Sequence, residues 1–588
     1  MIQEIHDPLS EYVNVFRERF RSVAQKTFDD LSAEANVDVE ANRKTCREIY
    51  AAQQELSEME SRISNWTFVR TIFWILFAIG LVLFGITVYH SVSEVDPYVN
   101  SELSLIFLVV SALLLILNLV WINPRIDALK EPADELQKKI DAKTQEAWEQ
   151  MKPLNELYDW DILARMMSAT VPKLEFDPYF TTQRLADLQA VYDWDSSFNE
   201  GRSVLFSHSG LINGNPFVLC RTRRMEMGVK TYHGHKSISW TESRRNSDGT
   251  YSTVTRHQVL TASYTAPCPY YFEKTRLIYA NTAAPDLVFH RKQSDLAGTE
   301  NTLSYKRKRR KLRRKARKLE NADFAMMTNE DFEVSFDTSD RNDNHQFALL
   351  FTPLAQQSML DLLSDREHGY GDDFDFIKDR MINTIVSDHM QVLDIDVTPG
   401  DYMHFDYDKA KAGFIEVNSR YFRAIYFAFA PLLCVPMYQQ VRPQHDIYGR
   451  DMKRESAFWE HEALANFWGQ ENFRHPECAT DCILKTSQSK GEGDESSITV
   501  YAYGYSATDR LTYVGKYGGD GRYHDVPVHW VEYTPVTGVG SIHMKEDNEQ
   551  EEGPVTQRER VSRISRVLGA SGMKLYRRHI ASRLSGLH

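Results

Sequence analysis

Four residues in the C-terminal third of the chain have side chains that can ligate a metal ion. His461 is followed by the spacing His475-x-x-Cys478-x-x-x-Cys482. Imidazole nitrogens and thiolate sulfurs are the ligands of tetrahedral zinc sites. The paired Cys-x-x-Cys knuckles of a zinc ribbon are absent from the sequence. Two interpretations stay open: a zinc site, or a fold in which Cys482 belongs to the core while His475 and Cys478 lie in a loop.

Motifs for other reaction classes are absent from the sequence. His461-Glu462 is followed by Ala-Leu-Ala, so the second histidine of the H-E-x-x-H zinc peptidase motif is missing. There is no Gly-rich phosphate loop, no G-x-S-x-G elbow and no dinucleotide fingerprint. The acidic pairs Asp372-Asp373 and Asp394-x-Asp396 could hold a divalent cation, although surface loops commonly contain such pairs. We therefore predict no catalytic residue and no cofactor other than zinc, and a non-enzymatic protein is the leading interpretation.

A second set of side chains can bind anions. The segment 306–318 reads KRKRRKLRRKARK and contains eleven basic residues. They are Lys306, Arg307, Lys308, Arg309, Arg310, Lys311, Arg313, Arg314, Lys315, Arg317 and Lys318. Subtracting these eleven cations from the formal net charge of −13 leaves −24 for the rest of the chain.

The apolar residues within this basic segment predict its structure. Leu312, Ala316 and Leu319 recur at helical spacing, which indicates a cationic helix with a narrow apolar edge. Three interpretations stay open. The helix can bind anionic lipid headgroups, at about 1 kcal/mol for each cation near the surface; it can bind RNA or DNA phosphates; or it is a solvated helix that balances the acidic remainder.

Two apolar stretches indicate the surroundings in which these residues are held. Segments 71–90 and 103–122 each contain about 20 residues and no Asp, Glu, Lys or Arg, as a membrane-spanning helix requires. Only the short segment 91–102 separates them. The sequence therefore predicts a transmembrane hairpin over residues 67–122. A pair of core helices in a soluble protein is the alternative.

The charges beside the two stretches predict their orientation. The connecting segment carries Glu94, Asp96 and Glu102 but no Lys or Arg. Basic residues lie on the other side of both spans: Arg62, Arg70, Arg125, Lys130, Lys138 and Lys139. Because cytoplasmic flanks are enriched in Lys and Arg, both termini are expected in the cytoplasm. The first residues show no cleavable signal peptide.

Amphipathic helices are predicted on both sides of the spans, since apolar residues recur there at three- and four-residue steps. Before the spans these residues are Tyr12, Phe16, Phe20, Val23, Leu31, Ile49, Leu56, Met59 and Ile63. After them they are Ile126, Leu129, Ala133, Leu136, Ile140, Ala147, Met151 and Leu154. We expect residues 1–66 and 123–172 to form the two arms of a coiled helical stalk. Self-association of these stripes into a homo-oligomer is an alternative.

From residue 173 the pattern changes to short alternating runs that are typical of strands. Segments 237–242 and 251–264 flank Asn-Ser-Asp-Gly at 246–249, which predicts a β-hairpin with a tight turn. Further strands are expected at 203–206, 216–221, 276–279 and 332–336, and a helix at 354–363. The order of these elements predicts an α+β domain over residues 173–440, from which the basic segment projects.

One stretch of this domain carries a family resemblance. It contains Phe332, Glu333 and Phe336, followed by Leu350-Phe351-Thr352-Pro353. Segment 330–363 thereby resembles the hallmark of a bacterial family without an established activity, in which a Phe-Glu-x-x-Phe strand precedes a strand ending in Leu-Thr-Pro and then a helix. Phe351 is an extra residue relative to that pattern. The resemblance implies two membrane helices followed by a cytosolic domain, and it assigns no catalytic residue.

The remaining residues predict a further module and a tail. Within residues 441–545 a helix is expected at 454–468, and strands at 497–505, 511–517 and 526–533. Residues 546–588 begin with an acidic linker and continue as a basic tail that we expect to be helical. The six cysteines are too few for a disulfide scaffold, so free thiols are expected.

The combined expectation is an α+β protein with an N-terminal two-helix transmembrane hairpin and coiled helical stalk, followed by mixed α+β cytosolic modules. The leading functional hypothesis is a scaffold or interaction protein of the bacterial inner membrane, which contacts the lipid bilayer, anionic headgroups and protein partners. One alternative is a membrane-face enzyme that uses the His/Cys zinc site. Another is nucleic-acid binding through the basic segment.

Overall fold

The computed structural model describes residues 4–92, 97–245, 247, 249–317, 324–393, 397–443, 455–490, 496–546, 573–576 and 580–584. The chain divides into two compact units. We call Phe28–Tyr158 with Gly400–Phe414 the helical unit. Met1–Thr27, Asp159–Pro399 and Ile415–His588 form the body unit.

The N-terminal part of the chain is helical, as the apolar periodicity predicts. Its elements are α1 (Pro8–Glu11), a π-helical turn (Tyr12–Phe16), α2 (Arg17–Ala35), α3 (Val39–Val92), α4 (Pro97–Leu117), a second π-helical turn (Asn118–Ile122) and α5 (Asn123–Asn155). Two helical stretches, Val39–Tyr89 and Glu102–Asn155, are long and apolar enough to cross a membrane. The fold is therefore mixed α+β with two long apolar helices near the N-terminus, as expected.

The helices of the helical unit share an apolar cluster. Ile49 and Leu56 of α3 are buried together with Ala133, Ile140 and Ala147 of α5. Met59, Ile63 and Leu136 pack partly buried against the same cluster. These residues come from the predicted stripes on both sides of the apolar stretches, so the two stripes cover each other within one chain.

The body unit contains the remaining elements. In chain order they are α6 (Ile162–Thr170), β1 (Leu174–Phe176), α7 (Thr182–Ala190), β2 (Arg202–Ile212), β3 (Asn215–Arg245), β4 (Tyr251–Ala280), β5 (Val288–Arg291), α8 (Leu303–Arg317), α9 (Glu330–Phe336), α10 (Asn344–Leu350), α11 (Pro353–Ser364), β6 (Phe374–Asp379), β7 (Ile382–Ser387) and α12 (Asp388–Gln391). They continue with α13 (Tyr407–Leu433, which begins in the helical unit), α14 (Pro436–Gln440), α15 (Phe458–Trp468), β8 (Ile483–Lys490), β9 (Ser496–Tyr517), β10 (Tyr523–Glu546), β11 (Met573–Tyr576) and β12 (Ile580–Leu584). Short 3₁₀ turns lie at Ser196–Asn199, Pro399–Tyr402 and Gln470–Asn472.

Two antiparallel sheets organise the body unit. The larger has the strand order β1-β2-β3-β4-β7-β6-β5, and the smaller has the order β11-β12-β10-β9-β8. Their shared core includes Val204 and Ile278 from the first sheet, Trp459 from α15, and Leu484 and Ile542 from the second sheet. The expected boundary between residues 440 and 441 therefore separates residues that belong to one core.

Two long hairpins extend from the sheets. The predicted hairpin is present, but its strands β3 and β4 pair from Phe217 opposite Tyr279 as far as Arg245 opposite Tyr251. The expected strands at 497–505 and 511–517 are one strand, β9, which pairs with β10. Ile238 and Leu260 of the first hairpin pack on Val526 and Val528 of the second. Gly234 permits this approach, because a Cβ there would collide with the carbonyl oxygen of Pro527.

The first apolar stripe packs elsewhere than we expected for a stalk. Phe20 of α2 stacks on Phe422 of α13, with ring centroids 4.1 Å apart. Tyr12 lies 5.2 Å from the ring of Tyr426 on the same helix. Residues 4–27 thus join the core of the body unit through aromatic contacts.

Several local expectations are wrong. Residues 332–336 are the helix α9 and not a strand. The side chain of Asn329 caps α9 by accepting hydrogen bonds from the backbone N–H groups of Asp331 and Phe332, and this cap overrides the alternating pattern. The helix expected at 454–468 begins only at Phe458.

The tail also differs from the expected helix. Its described residues form strands β11 and β12, because β12 pairs with β10 from Ile542 opposite Leu584 to Glu546 opposite Ile580. This pairing buries Ile580 and Ala581. The rest of the predicted tail lies outside the described residues.

Candidate functional site

The basic segment forms helix α8, and one side of this helix is fixed to the body unit. Tyr305 and Leu312 are buried in a small cluster with Val334 of α9. Arg313 donates to Glu330 across the two helices, with Nε 2.8 Å from Oε1. Lys308 forms an ion pair with Asp337 at the C-terminal end of α9. The acidic residues of α9 therefore neutralise the cations on the inner side of α8.

The contact with α8 shifts the pKa of a carboxyl group on α9. The hydrogen bond from Arg313 lowers the pKa of Glu330, while partial burial raises it. Arg309 is close to the same region, with Nη1 3.6 Å from an oxygen of Asp331. Because these side chains are partly exposed to solvent, the ion pairs add little to stability. Their main effect is to set the rotation of α8 about its axis.

The opposite side of α8 carries cations that face solvent. Lys306, Arg307, Arg310, Lys311, Arg314 and Arg317 are exposed, and none of them forms an ion pair within the described part of the chain. We call these six residues the cationic face. At 100° and 1.5 Å per residue they cover less than half of the helix circumference and a length of about 16 Å. Lys318, the last predicted cation, lies outside the described residues.

An apolar side chain lies within the cationic face. Leu303 is 73% exposed and falls on the same side of α8 as Arg307 and Arg310 by helical geometry. The arrangement therefore suits a flat, anionic surface with an apolar layer beneath it. Sequence reasoning found the segment but could not divide its cations into inner and outer sets, because the division depends on α9.

The structure brings together two of the four predicted metal ligands. The Sγ atoms of Cys478 and Cys482 lie 3.6 Å apart, and both thiols are buried. Gly504 provides the space, since a Cβ there would collide with both sulfurs. Burial, and then the hydrogen bond with Cys478, raise the pKa of Cys482 to about 12. Both observations describe packed thiols in the core.

The two histidines have other partners. His461 is buried on α15, with Nε2 2.9 Å from the Oγ of Ser456. Burial lowers the pKa of His461 to about 4, so its imidazole is neutral at pH 7. Nδ1 of His475 accepts a hydrogen bond from the backbone of Glu477. Over the described ranges, no three His, Cys, Asp or Glu side chains are grouped so that they could hold a metal ion.

Glu462, the second residue of the His-Glu pair, has a structural role. Its carboxylate accepts from Nζ of Lys485 at 2.9 Å, from the side chain of Asn199 at 3.0 Å and from the backbone of Val204 at 3.1 Å. Burial raises the pKa of Glu462, whereas Lys485 and the hydrogen bonds lower it. The side chain thus links α15 to β2 and β8.

Buried ions elsewhere in the body unit were not found from the sequence. Arg341 donates to Glu333 with Nη2 2.7 Å from Oε1, and both side chains are almost fully buried. Asp372 pairs with the buried Arg291. Lys378 has no carboxylate partner in the described residues, and burial lowers its pKa to about 7.

The first of the two acidic pairs named from the sequence also bonds to other groups of the fold. Asp372 faces Arg291, and Asp373 contacts Nδ1 of His389, so the first pair belongs to the internal bonding of the fold. The pair at residues 394 and 396 lies outside the described residues. The contacts of Asp372 and Asp373 do not point to a bound cation.

One cleft of about 390 Å³ opens in the body unit. Its lining includes Trp160, Phe467, Arg221, Arg223 and Glu273. Arg223 is paired with Glu273 at 2.8 Å, and Arg221 donates to Thr275 and to the carbonyl of Met390. The cleft arginines therefore already bond within the chain.

The two long apolar helices expose many of their side chains, unlike the arginines of the cleft, which bond within the chain. Within them Val82, Tyr89, Leu113 and Val120 are between 56% and 72% exposed. Most of the two apolar windows is exposed, since none of the first and 17% of the second is buried within the described structure. No family model, curated protein or solved structure matches the chain. The function must therefore be inferred from the geometry of the chain itself.

Proposed function

We propose that this chain is a membrane-anchored interaction protein of the bacterial inner membrane. Segments 71–90 and 103–122 would cross the bilayer as a hairpin, and the cytoplasm would hold both termini. The exposed apolar surface of α3 and α4 carries the proposal, since uncovered patches of this size are unfavourable in water. The bacterial assignment depends on the resemblance of residues 330–363.

The same proposal includes a two-helix stalk next to the membrane. The apolar cluster shared by α3 and α5 supports it, because Ile49, Leu56 and Ile140 bury one another without a third helix. In water this burial favours a helix pair by roughly 25 cal/mol per Å² of apolar surface removed. Such a stalk would connect the membrane helices to the cytoplasmic part of the chain.

The bonding of the titratable side chains supports a non-enzymatic role. The buried titratable side chains described above are bonded to other groups of the fold, whereas the cationic face presents charges with no partner among the described residues. We therefore propose recognition of an anionic partner as the main activity of the body unit. Zinc-dependent chemistry at His461, His475, Cys478 and Cys482 is the weaker proposal, since only the cysteines lie together.

Anionic lipid headgroups are the partner that we propose for the cationic face. A chain anchored in the inner membrane is already close to such headgroups, and each cation near that surface contributes about 1 kcal/mol. Leu303 supports the choice, because a bilayer can accept an apolar side chain beneath its headgroups. Nucleic acid is the competing partner, but its phosphate backbone offers no apolar layer into which this leucine could insert.

Membrane topology is the first test. Glu102→Cys places a thiol between the two spans, and Glu60→Cys places one on the opposite side of the first span. In intact bacteria an impermeant maleimide should label Glu102→Cys alone, and Glu60→Cys should react only after permeabilisation. The six native cysteines give a low background because all are buried. Labelling of both variants only after permeabilisation, or recovery of the chain in the soluble fraction, would contradict the proposal.

The cationic face is tested with the full chain in lipid nanodiscs. An environment-sensitive fluorophore on Leu303→Cys should shift its emission in nanodiscs with anionic lipid but not in purely zwitterionic ones. The shift should disappear at high salt and in Arg307→Gln/Arg310→Gln/Arg314→Gln. The matched control is Arg244→Gln/Arg245→Gln/Lys274→Gln, which removes three exposed cations outside α8. Salt-sensitive binding of RNA without this emission shift would favour nucleic acid instead.

A further inference from the structure

A cation in the helical unit is held on two aromatic rings. The guanidinium carbon of Arg125 lies 4.4 Å from the ring centroid of Trp121 and 5.1 Å from that of Trp66. The two rings meet edge to face, with centroids 5.7 Å apart. Trp121 and Arg125 are four residues apart and therefore lie on the same side of the helix.

Arg125 has no anionic partner among the residues that the structure describes. It is exposed, and no carboxylate lies within ion-pair distance of it in the described part of the chain. The neighbouring carboxylate of Asp127 pairs with Lys130 at 3.5 Å. A guanidinium that stacks on aromatic rings keeps its N–H donors in its own plane, so they remain available to a ligand. The two tryptophans thus fix the orientation of an unpaired, donor-rich group.

The position of this cluster indicates the ligand. Arg125 follows the apolar stretch 103–122 by three residues, and Trp66 precedes the stretch 71–90 by five. Tryptophans are enriched at the boundary between hydrocarbon and water, where the phosphates of lipid headgroups lie. A guanidinium binds a phosphate through two parallel hydrogen bonds.

We propose that Trp66, Trp121 and Arg125 form a binding site for the phosphate of one membrane phospholipid. This inference rests on the proposed membrane topology. The site differs from the cationic face in what it requires. A single guanidinium recognises the phosphate that zwitterionic and anionic phospholipids share, whereas the cationic face requires a net negative surface.

Native mass spectrometry of the full chain, released from detergent micelles, tests the site. The probes are phosphatidylethanolamine, phosphatidylglycerol and diacylglycerol, which has the same acyl chains and no phosphate. Wild type should retain one molecule of either phospholipid in preference to diacylglycerol. Arg125→Gln should weaken this retention about tenfold, as expected for loss of charge-assisted hydrogen bonds. Arg125→Lys should retain an intermediate amount of phospholipid, because it keeps the charge but loses the two parallel N–H donors of the guanidinium.

Lys130→Gln is the matched control, since Lys130 is a nearby cation that already has a carboxylate partner. It should retain phospholipid as the wild type does. Hydrogen exchange of α3 and α5 should be unchanged in Arg125→Gln, which shows that the variant is folded. Equal retention by Arg125→Gln and wild type, or equal retention of diacylglycerol, would overturn the site.

Further outcomes distinguish a lipid phosphate from free phosphate, and failure of this site from failure of the proposed topology. Displacement of phospholipid by millimolar inorganic phosphate would assign the site to the free ion and overturn the lipid ligand. If Glu102→Cys is labelled from outside the cell while retention does not depend on Arg125, only this site fails. If Glu102→Cys is not labelled from outside, the topology fails and the site fails with it.

Discussion

The apolar cluster of the helical unit and the interior of the body unit are built from different side chains. The cluster shared by α3 and α5 consists of apolar residues and one cysteine. The body unit buries Arg291, Arg341, Glu333 and Lys378, and the side chain of Asp372 is buried against Arg291. A substitution in the helical cluster should cost stability in proportion to the apolar surface removed. A buried ion, in contrast, depends on hydrogen-bonding partners at fixed positions.

The energetic difference between the two interiors lies in what happens when one group is removed. A buried ion pair adds little net stability when complete, because desolvation offsets the attraction. Removal of one partner leaves a charge without compensation, and this costs several kcal/mol. Loss of a methyl group from an apolar cluster costs far less. The apolar cluster of the helical unit and the buried ion pairs of the body unit should therefore respond very differently to single substitutions.

The largest effect is expected at the buried pair of Arg341 and Glu333. Arg341→Met removes the cation that contacts both oxygens of Glu333 and should destabilise the body unit by about 3–5 kcal/mol. Hydrogen exchange of peptides from α9 and α10, in the full chain, measures this loss. Exchange of α3 and α5 peptides serves as the internal reference.

The double variant Arg341→Met/Glu333→Gln shows whether the unpaired charge causes the loss. Glu333→Gln keeps an oxygen that can accept from the backbone N–H of Met327. We expect this variant to be more stable than Arg341→Met alone. If the double variant is no more stable than the single one, lost packing and not the uncompensated charge explains the effect.

The next effect is expected at His461 and depends on pH. Burial lowers the pKa of His461 from 6.5 to about 4, so between these values the unfolded chain binds more protons than the folded chain. Stability from this group is complete above pH 6.5 and is lost as pH falls through about 4, a total of about 3 kcal/mol. His461→Gln can still donate to Ser456 but cannot titrate.

The prediction for His461 is checked by hydrogen exchange of α15 at pH 7 and pH 4.5, corrected for the intrinsic pH dependence of exchange. Wild type should lose more protection than His461→Gln between the two values. An equal loss in both proteins would show that other groups cause the acid sensitivity. A zinc ligand at this position would behave differently, since adding a chelator at pH 7 would then reduce protection of wild type.

The same contrast explains which features the sequence could predict. The helices of residues 12–31, 49–63 and 126–154 were predicted correctly, because apolar side chains at a period of 3.6 residues identify both the helix and its buried face. The β3–β4 hairpin was predicted from the Asn-Ser-Asp-Gly sequence at 246–249, of which residues 246 and 248 lie outside the described residues, and from the alternating residues on both sides of it. The full length of β3 was not predicted, because its first third, from Asn215 to Arg224, is stabilised by β2, which is a separate segment.

Features that depend on distant partners could not be read from the sequence. Phe332, Val334 and Phe336 alternate as a strand would, yet the cap at Asn329 selects a helix. The cations of α8 divide into those paired with Glu330 of α9 and Asp337 at its C-terminal end, and those without an ion pair among the described residues. Of the four predicted metal ligands, the structure brings together only Cys478 and Cys482 among the described residues, and the contact of His461 with Ser456 had no signal in the metal-ligand spacing.

The smallest effect is expected in the apolar cluster of the helical unit. Ile140→Val removes one methylene from a side chain that is 5% exposed and should cost about 1 kcal/mol. Leu136→Val is the matched control, because Leu136 is only partly buried against the same cluster and should cost less. Hydrogen exchange of α3 and α5 measures both. Because the apolar cluster contains no carboxyl, imidazole or amino group, the cost should be the same at pH 7 and pH 4.5. A cost that changes between these pH values would mean that the helical unit also depends on titrating groups, and the contrast between the two interiors would then fail.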